Sequence, residues 1–510
     1  MDSVEDMPTK TYNTKNTIKS KKDLARVQNK YDNELCNNDM TFEDCELTIL
    51  RQAVDITEKV SKRKLVNNDD ITSILSILED FLKKKKLVCY GGTAINNILP
   101  KEAQFYDREL EIPDYDFYSP NALKHAIELS NIYYKNGYTD VEAKSGVHKG
   151  TFKVFVNFIP IADITQLHKD IFDTISKDAI TIQGIKYSPP NFLRMNMYLE
   201  LSRPRGDVSR WEKVLKRLVL LNKYYPMKPG VSCKTIEFQR QMPSLRKDKS
   251  EPIENIFNIL WESLVKQEVV FFGGYAASLF SKYMIGELSI TKKVPDFDII
   301  AENPEVTSTI IAEALKTYNI DDVEIIKHAE IDEIIPEHIE FKVRGTSVLF
   351  IYKPIACHSY NKINIHGKKV RIATIDTILT FYLAFIYTNT MHYSRDRLLC
   401  MAKYLFDVEA RNRLSNKGLL KRFSISCFGK QKTIEEIRQE KAEQYKKLRN
   451  KKNTTEYNEW FLKYNPSDVF KTGKTLRKTT MKSKINVKSK LKSKTKTRKT
   501  STSTDNDWLY

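Results

Sequence analysis

Three aspartates and a pair of glycines are the residues of this chain best placed to do chemistry. Asp114 and Asp116 sit in the run E-I-P-D-Y-D-F-Y, from Glu111 to Tyr118. In a strand, residues i and i+2 project from the same side. The two carboxylates then repel unless a cation lies between them, and hard divalent ions such as Mg²⁺ take oxygen ligands of this kind. An isolated D-x-D is usually a solvated turn, so the surroundings decide. Asp163 closes the apolar run F-V-N-F-I-P-I-A-D, where an unpartnered acid is costly. It reads either as a third carboxylate for metal or as the N-cap of a helix starting near Gln166, and the two roles are compatible. Three such carboxylates can hold two metal ions about 4 Å apart, which activate an attacking hydroxyl and steady a leaving oxygen in phosphoryl-type transfer.

Gly91-Gly92-Thr93 lies in "LVCYGGTAINNILP", between a strand-like and a helix-like run, about 22 residues before Asp114. Glycines let the backbone approach a ligand, and amides at a helix start attract phosphate. The Thr93 hydroxyl is suited to a phosphate oxygen. The plainer reading is a tight strand-to-helix turn. The spacing is neither a P-loop nor a dinucleotide fingerprint.

The elements that must position these residues are legible upstream. Residues 1–45 are polar and read as disordered. A helix is expected over Glu46–Lys62. Asp69 or Asp70 caps a second, with Ile71, Ile74, Leu75, Leu78, Phe81 and Leu82 on one face. A shift of 182 residues carries this stripe onto Ile253, Ile256, Phe257, Leu260 and Leu264, Gly91-Gly92 onto Gly273-Gly274, and Asp114 and Asp116 onto Asp296 and Asp298. The shared register implies a duplicated domain. Farther on, "VFVNFIPIADIT" (residues 154–165) aligns with "VLFIYKPIACHS" (348–359), which puts Cys357 in the place of Asp163. Asn191–Tyr225 and Ile375–Val408 both read as helical. Thr433–Tyr464 reads as one or two charged helices.

The expected organisation is a disordered 1–45, a catalytic domain 46–228, a linker 229–250, a degenerate copy 251–412, a helical extension 413–466 and a basic disordered tail 467–510. The formal net charge is +19, and thirteen Lys and Arg with no acid fall between Lys471 and Lys499, which points to a polyanionic partner. No apolar run of about 18 residues is present, so no membrane span is expected. The seven cysteines are scattered and never C-x-x-C. That spacing argues against a disulfide framework or structural zinc and for a reducing compartment.

G-G-[ST], then D-x-D, then a later Asp resembles the signature of the polymerase β-like nucleotidyltransferases. "LVCYGGTAINNIL", "PDYDFYSPN", "FVNFIPIADIT" and "VSRWEKVLKRLVLLNKYYP" resemble, more narrowly, the poly(A) polymerase catalytic subunits of large cytoplasmic DNA viruses, of the poxvirus, mimivirus and asfarvirus type. The resemblance runs from Leu47 to Asp407 and is densest between Leu87 and Pro226. It implies an α/β (mixed α+β) fold: two tandem nucleotidyltransferase domains, each a mixed sheet with flanking helices, the second degenerate. It implies ATP as substrate, two Mg²⁺ or Mn²⁺ ions as cofactors and an RNA 3′ end as acceptor, with Gly91, Gly92 and Thr93 on the nucleotide and Asp114, Asp116 and Asp163 as catalytic metal ligands. Asp163 is then the activator of the 3′-hydroxyl. A homodimer or a separate processivity subunit, and residence in the virion and the host cytoplasm, belong to the same expectation. The adenine is expected near Tyr187–Tyr198 and the Trp211 helix. In the second copy Tyr275 replaces Thr93. Rival readings are another terminal nucleotidyltransferase and a non-catalytic RNA-binding scaffold.

Overall fold

The computed structural model describes residue 36 and residues 40–66, 69–106, 112–233, 253–283, 297–332, 334–388, 394–452 and 454–470. The chain opens with α1 (Phe42–Val66) and α2 (Asp69–Lys85). Helix α2 buries Ile71, Ile74, Leu78, Phe81 and Leu82, the expected stripe except for Leu75, which is half-buried. The first sheet is built from β1 (Val88–Tyr90), β2 (Tyr115–Ser119), β3 (Val141–Ser145), β4 (Thr151–Val156), β5 (Ile159–Gln166), β6 (Ile180–Ile182) and β7 (Ile185–Tyr187). Between them lie α3 (Gly91–Ile98), α4 (Ala122–Lys135) and α5 (Lys169–Lys177), followed by α6 (Pro190–Leu201) and α7 (Trp211–Tyr224). Strand order is β3-β4-β5-β2-β1-β7-β6. The β1/β7 and β2/β5 pairs are parallel and the others antiparallel. Along β4, Phe152, Val154 and Val156 turn into the core while Thr151, Lys153 and Phe155 face outward, the period-2 pattern of a half-buried strand.

The second copy repeats this plan. Helix α8 (Ile253–Lys266) precedes β8 (Val270–Phe272), α9 (Gly273–Ser278), β9 (Phe297–Ile300) and α10 (Pro304–Lys316). Then come β10 (Val323–His328), β11 (His338–Val343), β12 (Thr346–Tyr352), β13 (His358–Ile365) and β14 (Lys368–Ala373), with α11 (Ile375–Phe385) and α12 (Arg395–Arg411). Its order, β10-β11-β12-β9-β8-β14-β13, matches the first strand for strand, and the parallel pairs recur as β8/β14 and β9/β12.

Every residue of α11 is buried, Asp376, Thr377 and Thr380 included, because α11 lies between its own sheet and α6 of the first copy. Phe192 meets Tyr387 edge-on at 5.1 Å, and the Ser359 amide donates to the Ser202 carbonyl at 2.9 Å. One apolar cluster therefore runs through both copies.

The C-terminal extension does more than form helices. Besides α13 (Ile434–Leu448) and α14 (Thr455–Phe461), it adds β15 (Cys427–Phe428) to the edge of the second sheet and β16 (Lys463–Tyr464) to the edge of the first. Helix α13 opens with a Thr433/Glu436 capping box. Two-residue strands carry no readable periodicity, so the sequence did not announce them.

The cysteine expectation is overturned. Three disulfides form, Cys36–Cys45, Cys233–Cys400 and Cys357–Cys427, leaving Cys89 free and buried. Two of the pairs join residues 167 and 70 positions apart, which folding brings together and spacing cannot show. The basis for inferring a reducing compartment goes with it. Helix α1 begins at Phe42 rather than Glu46. Most of the expected disordered N-terminus, residues 234–250 of the linker, and residues 471–510 of the tail lie outside the described residues. Among the described residues no helix is long and apolar enough to cross a membrane.

Candidate active site

The site forms where β1 ends. Tyr90 hands over to Gly91, whose φ is +73°, a left-handed conformation that favours glycine. A Cβ on Gly91 would overlap the Asp116 carboxylate oxygen, and one on Gly92 would overlap the Tyr106 hydroxyl and press on the Arg217 guanidinium. The glycine pair is thus required first by the close approach of an acid, an aromatic and a base. Thr93 is 4% exposed, and its hydroxyl donates to the Asp114 carbonyl at 2.7 Å. It pins the approach to β2 to the glycine turn instead of facing open space.

Across the sheet, Tyr90 pairs with Asp116, and Asp116 pairs with Asp163 on β5. Direct cross-strand partners share a face, so both carboxylates project together, with Asp114 two residues before Asp116. Asp163 lies inside β5 and caps nothing. Helix α5 starts at Lys169 and is capped by His168, which removes the N-cap reading. Burial, then Asp114 and Asp163, push the Asp116 carboxyl up to about 7. Asp114 is raised by burial and then by Asp163. Lys153 answers part of this charge, with its ammonium 2.6 Å from Asp163 Oδ2. Among the described residues no three His, Cys, Asp or Glu are grouped closely enough to ligate a metal as they stand, and Asp163 is engaged by the lysine. The donor set nonetheless fits a hard divalent ion: three carboxylates, two of them partly desolvated and crowded by like charge.

Sequence reasoning missed the bases around this cluster. Arg217 donates to the Tyr106 hydroxyl at 2.6 Å and lies over the Phe105 and Tyr106 rings. Lys213 opposes the rise at Asp114, and Arg210, held 3.1 Å from Glu200, opposes it at Asp116. The available signal was the i, i+4 spacing of Lys213 and Arg217, which places both on one face of α7. The expected adenine contacts fare differently. Tyr187 and Tyr198 are 3% and 1% exposed and belong to the core. The Trp211 ring lies 5.7 Å from Phe423 and donates to the Glu200 carbonyl. Helix α7 reaches the site through its bases.

In the second copy Gly273 has φ +70° and packs against Asp298 in the same way; Asp296 lies outside the described residues. The Tyr275 hydroxyl accepts from Trp261 at 2.8 Å. The expected match of Cys357 to Asp163 is incorrect. Asp298 pairs with Phe350 as Asp116 pairs with Asp163. Both hairpins close through two left-handed residues, Asn157-Phe158 and Arg344-Gly345, and both carry a bulge at the corresponding place. Cys357 lies beyond β12, bonded to Cys427. The "PIA" similarity had drawn the alignment out of register. The third carboxylate is still missing, replaced by a fully buried phenylalanine.

A mixed sheet with a glycine turn on one central strand, an acid pair on the next and a third acid beside it is the arrangement found in the first copy, and the second copy repeats the sheet with Phe350 in the place of the third acid. Residues 76–207 match the sequence profile of the family described as "Poly(A) polymerase catalytic subunit". An African swine fever virus protein provisionally named as such a subunit is 30% identical over 244 residues, 47% of this chain and 46% of that one. The corresponding Acanthamoeba polyphaga mimivirus protein is 35% identical over 160 residues, 30% of this chain and 27% of its own. The matched segment thus spans about half the length of the African swine fever virus relatives. The crystal structure of the Megavirus polyadenylate synthase superposes with a TM-score of 0.70 at 19% identity, covering 88% of this chain and 92% of that one, and so shares the fold. The likeness to the poly(A) polymerase catalytic subunit family is thus carried by residues 76–207.

Proposed function

We propose that the first copy is a template-independent polynucleotide adenylyltransferase, adding AMP from ATP to an RNA 3′ end. The observation that carries this is the register of Asp116 between Asp163 and the Gly91 turn in the first copy, against its loss at Phe350 in the second. Asp114, Asp116 and Asp163 would hold Mg²⁺ or Mn²⁺, two ions in the superfamily pattern. When bound, the ions supply positive charge to the transferring phosphate and lower the pKa of the attacking hydroxyl. Asp163, bordered by the open side of the sheet, takes the 3′-hydroxyl. Gly91 and Gly92 let the triphosphate approach the backbone. Arg217 and Lys213 face its anionic end, and Thr93 keeps Asp114 in place through its carbonyl. The RNA 3′-oxygen forms a bond to the α-phosphorus, the bond from that phosphorus to the bridging oxygen breaks, pyrophosphate leaves and the hydroxyl proton is released. Relatives are named as catalytic subunits of large DNA viruses. A second copy of the chain or a processivity subunit is the corresponding partner, and the virion and host cytoplasm the corresponding setting.

The test is incubation of the purified chain with an RNA primer, each NTP separately, and Mg²⁺ or Mn²⁺. ATP-selective extension is expected. Asp114→Asn and Asp116→Asn should each lower it by several orders of magnitude with the melting temperature retained. Incorporation of all four nucleotides would make the chain a different terminal transferase. Near wild-type extension by the variants would remove the site assignment, and RNA binding with no incorporation would leave a scaffold.

A further inference from the structure

The register that joins Asp116 to Asp163 continues outward. Asp163 is opposite Lys153 on β4, Lys153 is opposite Lys144 on β3, and Lys144 is opposite Lys463 on β16. Residues in direct cross-strand register project from one face. Three lysines therefore stand in a line on one face of the first sheet, one per strand with backbones about 5 Å apart, and the line ends at Asp163 and Asp116. Lys153 and Lys144 side chains are 39% and 45% exposed, and Lys463 is exposed. The Lys144 ammonium lies 4.2 Å from the centre of the Phe155 ring, which is on the same face two residues from Lys153. Only Glu142, 3.7 Å from Lys144, and Asp163 pair with the row among the described residues. The second copy has no such line: the strand positions matching Lys153 and Asp163 are Glu340 and Phe350.

We propose that this lysine row is the track along which the backbone of the acceptor RNA lies as its 3′ end reaches Asp163. The inference rests on the adenylyltransferase reading and names where its acceptor binds. A row of point charges without a fixed fork suits a phosphodiester chain read independently of sequence. An aromatic face beside it suits stacking of an unpaired base. Placing Lys463 in the row gives the C-terminal strand a function: β16 extends the track beyond the edge of the duplicated domain. The Ser145 amide and hydroxyl hold this strand through the carbonyls of Leu462 and Trp460 at 3.0 and 2.7 Å.

The test uses the full chain with Lys144→Gln and Lys463→Gln together, and Lys362→Gln with Lys369→Gln, exposed on the second copy, as control. Binding of a fluorescein-labelled single-stranded RNA is followed by anisotropy over a range of salt, without ATP or metal. Each phosphate that is no longer neutralised lowers the slope of log K against log salt by about 0.7. The row variant should therefore flatten the slope by about 1.4 for any RNA sequence, with its melting temperature unchanged, while the control keeps the wild-type slope. 4-Thiouridine near the RNA 3′ end should crosslink to residues 141–156. A wild-type slope in the row variant, or crosslinks confined to the second copy, overturns the proposal. In primer extension the row variant should raise the KM for RNA and leave kcat in place. A flattened slope in a chain that adds no AMP would refute the adenylyltransferase reading alone, and extension with an unchanged KM and slope would refute the track alone.

Discussion

At Gly91 a single hydrogen in place of a methyl group lets the Asp116 carboxylate rest against the backbone turn. Gly91→Ala adds a left-handed alanine, about 1–2 kcal/mol, or about 2–8 °C in melting temperature for a domain of this size. It also pushes away the carboxylate on which the proposed chemistry depends. A fall in adenylation of at least about tenfold, the equivalent of 1.4 kcal/mol, should accompany that small loss of stability. Gly273→Ala meets Asp298 more tightly, at its Cβ and Cγ as well as its carboxylate oxygen, and should lower the melting temperature more while extension continues. Equal activity in the two variants would show that the turn serves packing only. The comparison isolates chemistry from fold, because the two glycines have φ values of +73° and +70° and the same kind of neighbour.

Among the elements, the pairing of β9 with β12 sets the character of the second copy. With Phe350 opposite Asp298, that strand pair offers an apolar ring where a metal site needs oxygen. Asp296→Asn with Asp298→Asn should leave most primer extension in place, and loss of activity in a folded double variant would show that the second copy takes part in catalysis. The edge strand β15 is bound to its sheet by Cys357–Cys427, which closes a loop of 70 residues. Replacing both cysteines by serine should cost about 2–4 kcal/mol of stability. Dithiothreitol should lower the melting temperature of the parent chain and have less effect on the double serine variant. Equal melting of parent and variant under oxidising conditions would mean that this bond does not form in solution.

For the whole molecule, the C-terminal extension joins both copies and then leads into the basic tail. Phe470, the last described residue before the tail, stacks on Tyr134 of the first copy at 5.2 Å. Its thirteen basic residues alternate with Ser and Thr and suit sequence-independent phosphate binding. If the tail holds about five phosphates at once, ending the chain at Phe470 should flatten the RNA salt slope by roughly three to four units. Products should shorten under single-encounter conditions, with single additions at saturating primer unchanged. An unaltered slope and length distribution would leave the tail a solubility or packaging device.

The sequence by itself determined the duplication, the glycine turns, the Asp114–Asp116 pair and the apolar stripes of α2 and α8. Each of these is a matter of local spacing, in which the helical and strand periods decide which residues share a face. Asp163 was legible as a buried-strand acid, though its freedom from capping was not, since that depended on where α5 begins. Tertiary structure alone decided the rest. The two-residue turn at Arg344-Gly345 and the bulge after it set the register that puts Phe350, not Cys357, opposite Asp298. Chain folding joined cysteines 167 and 70 residues apart. Strand pairing lined up Lys463, Lys144 and Lys153, drawn from three separate segments, on one path to Asp163. A one-residue slip in a strand reverses every face it presents, so such alignments follow from hydrogen-bond pairing across the sheet and packing around it, which no spacing along the chain encodes.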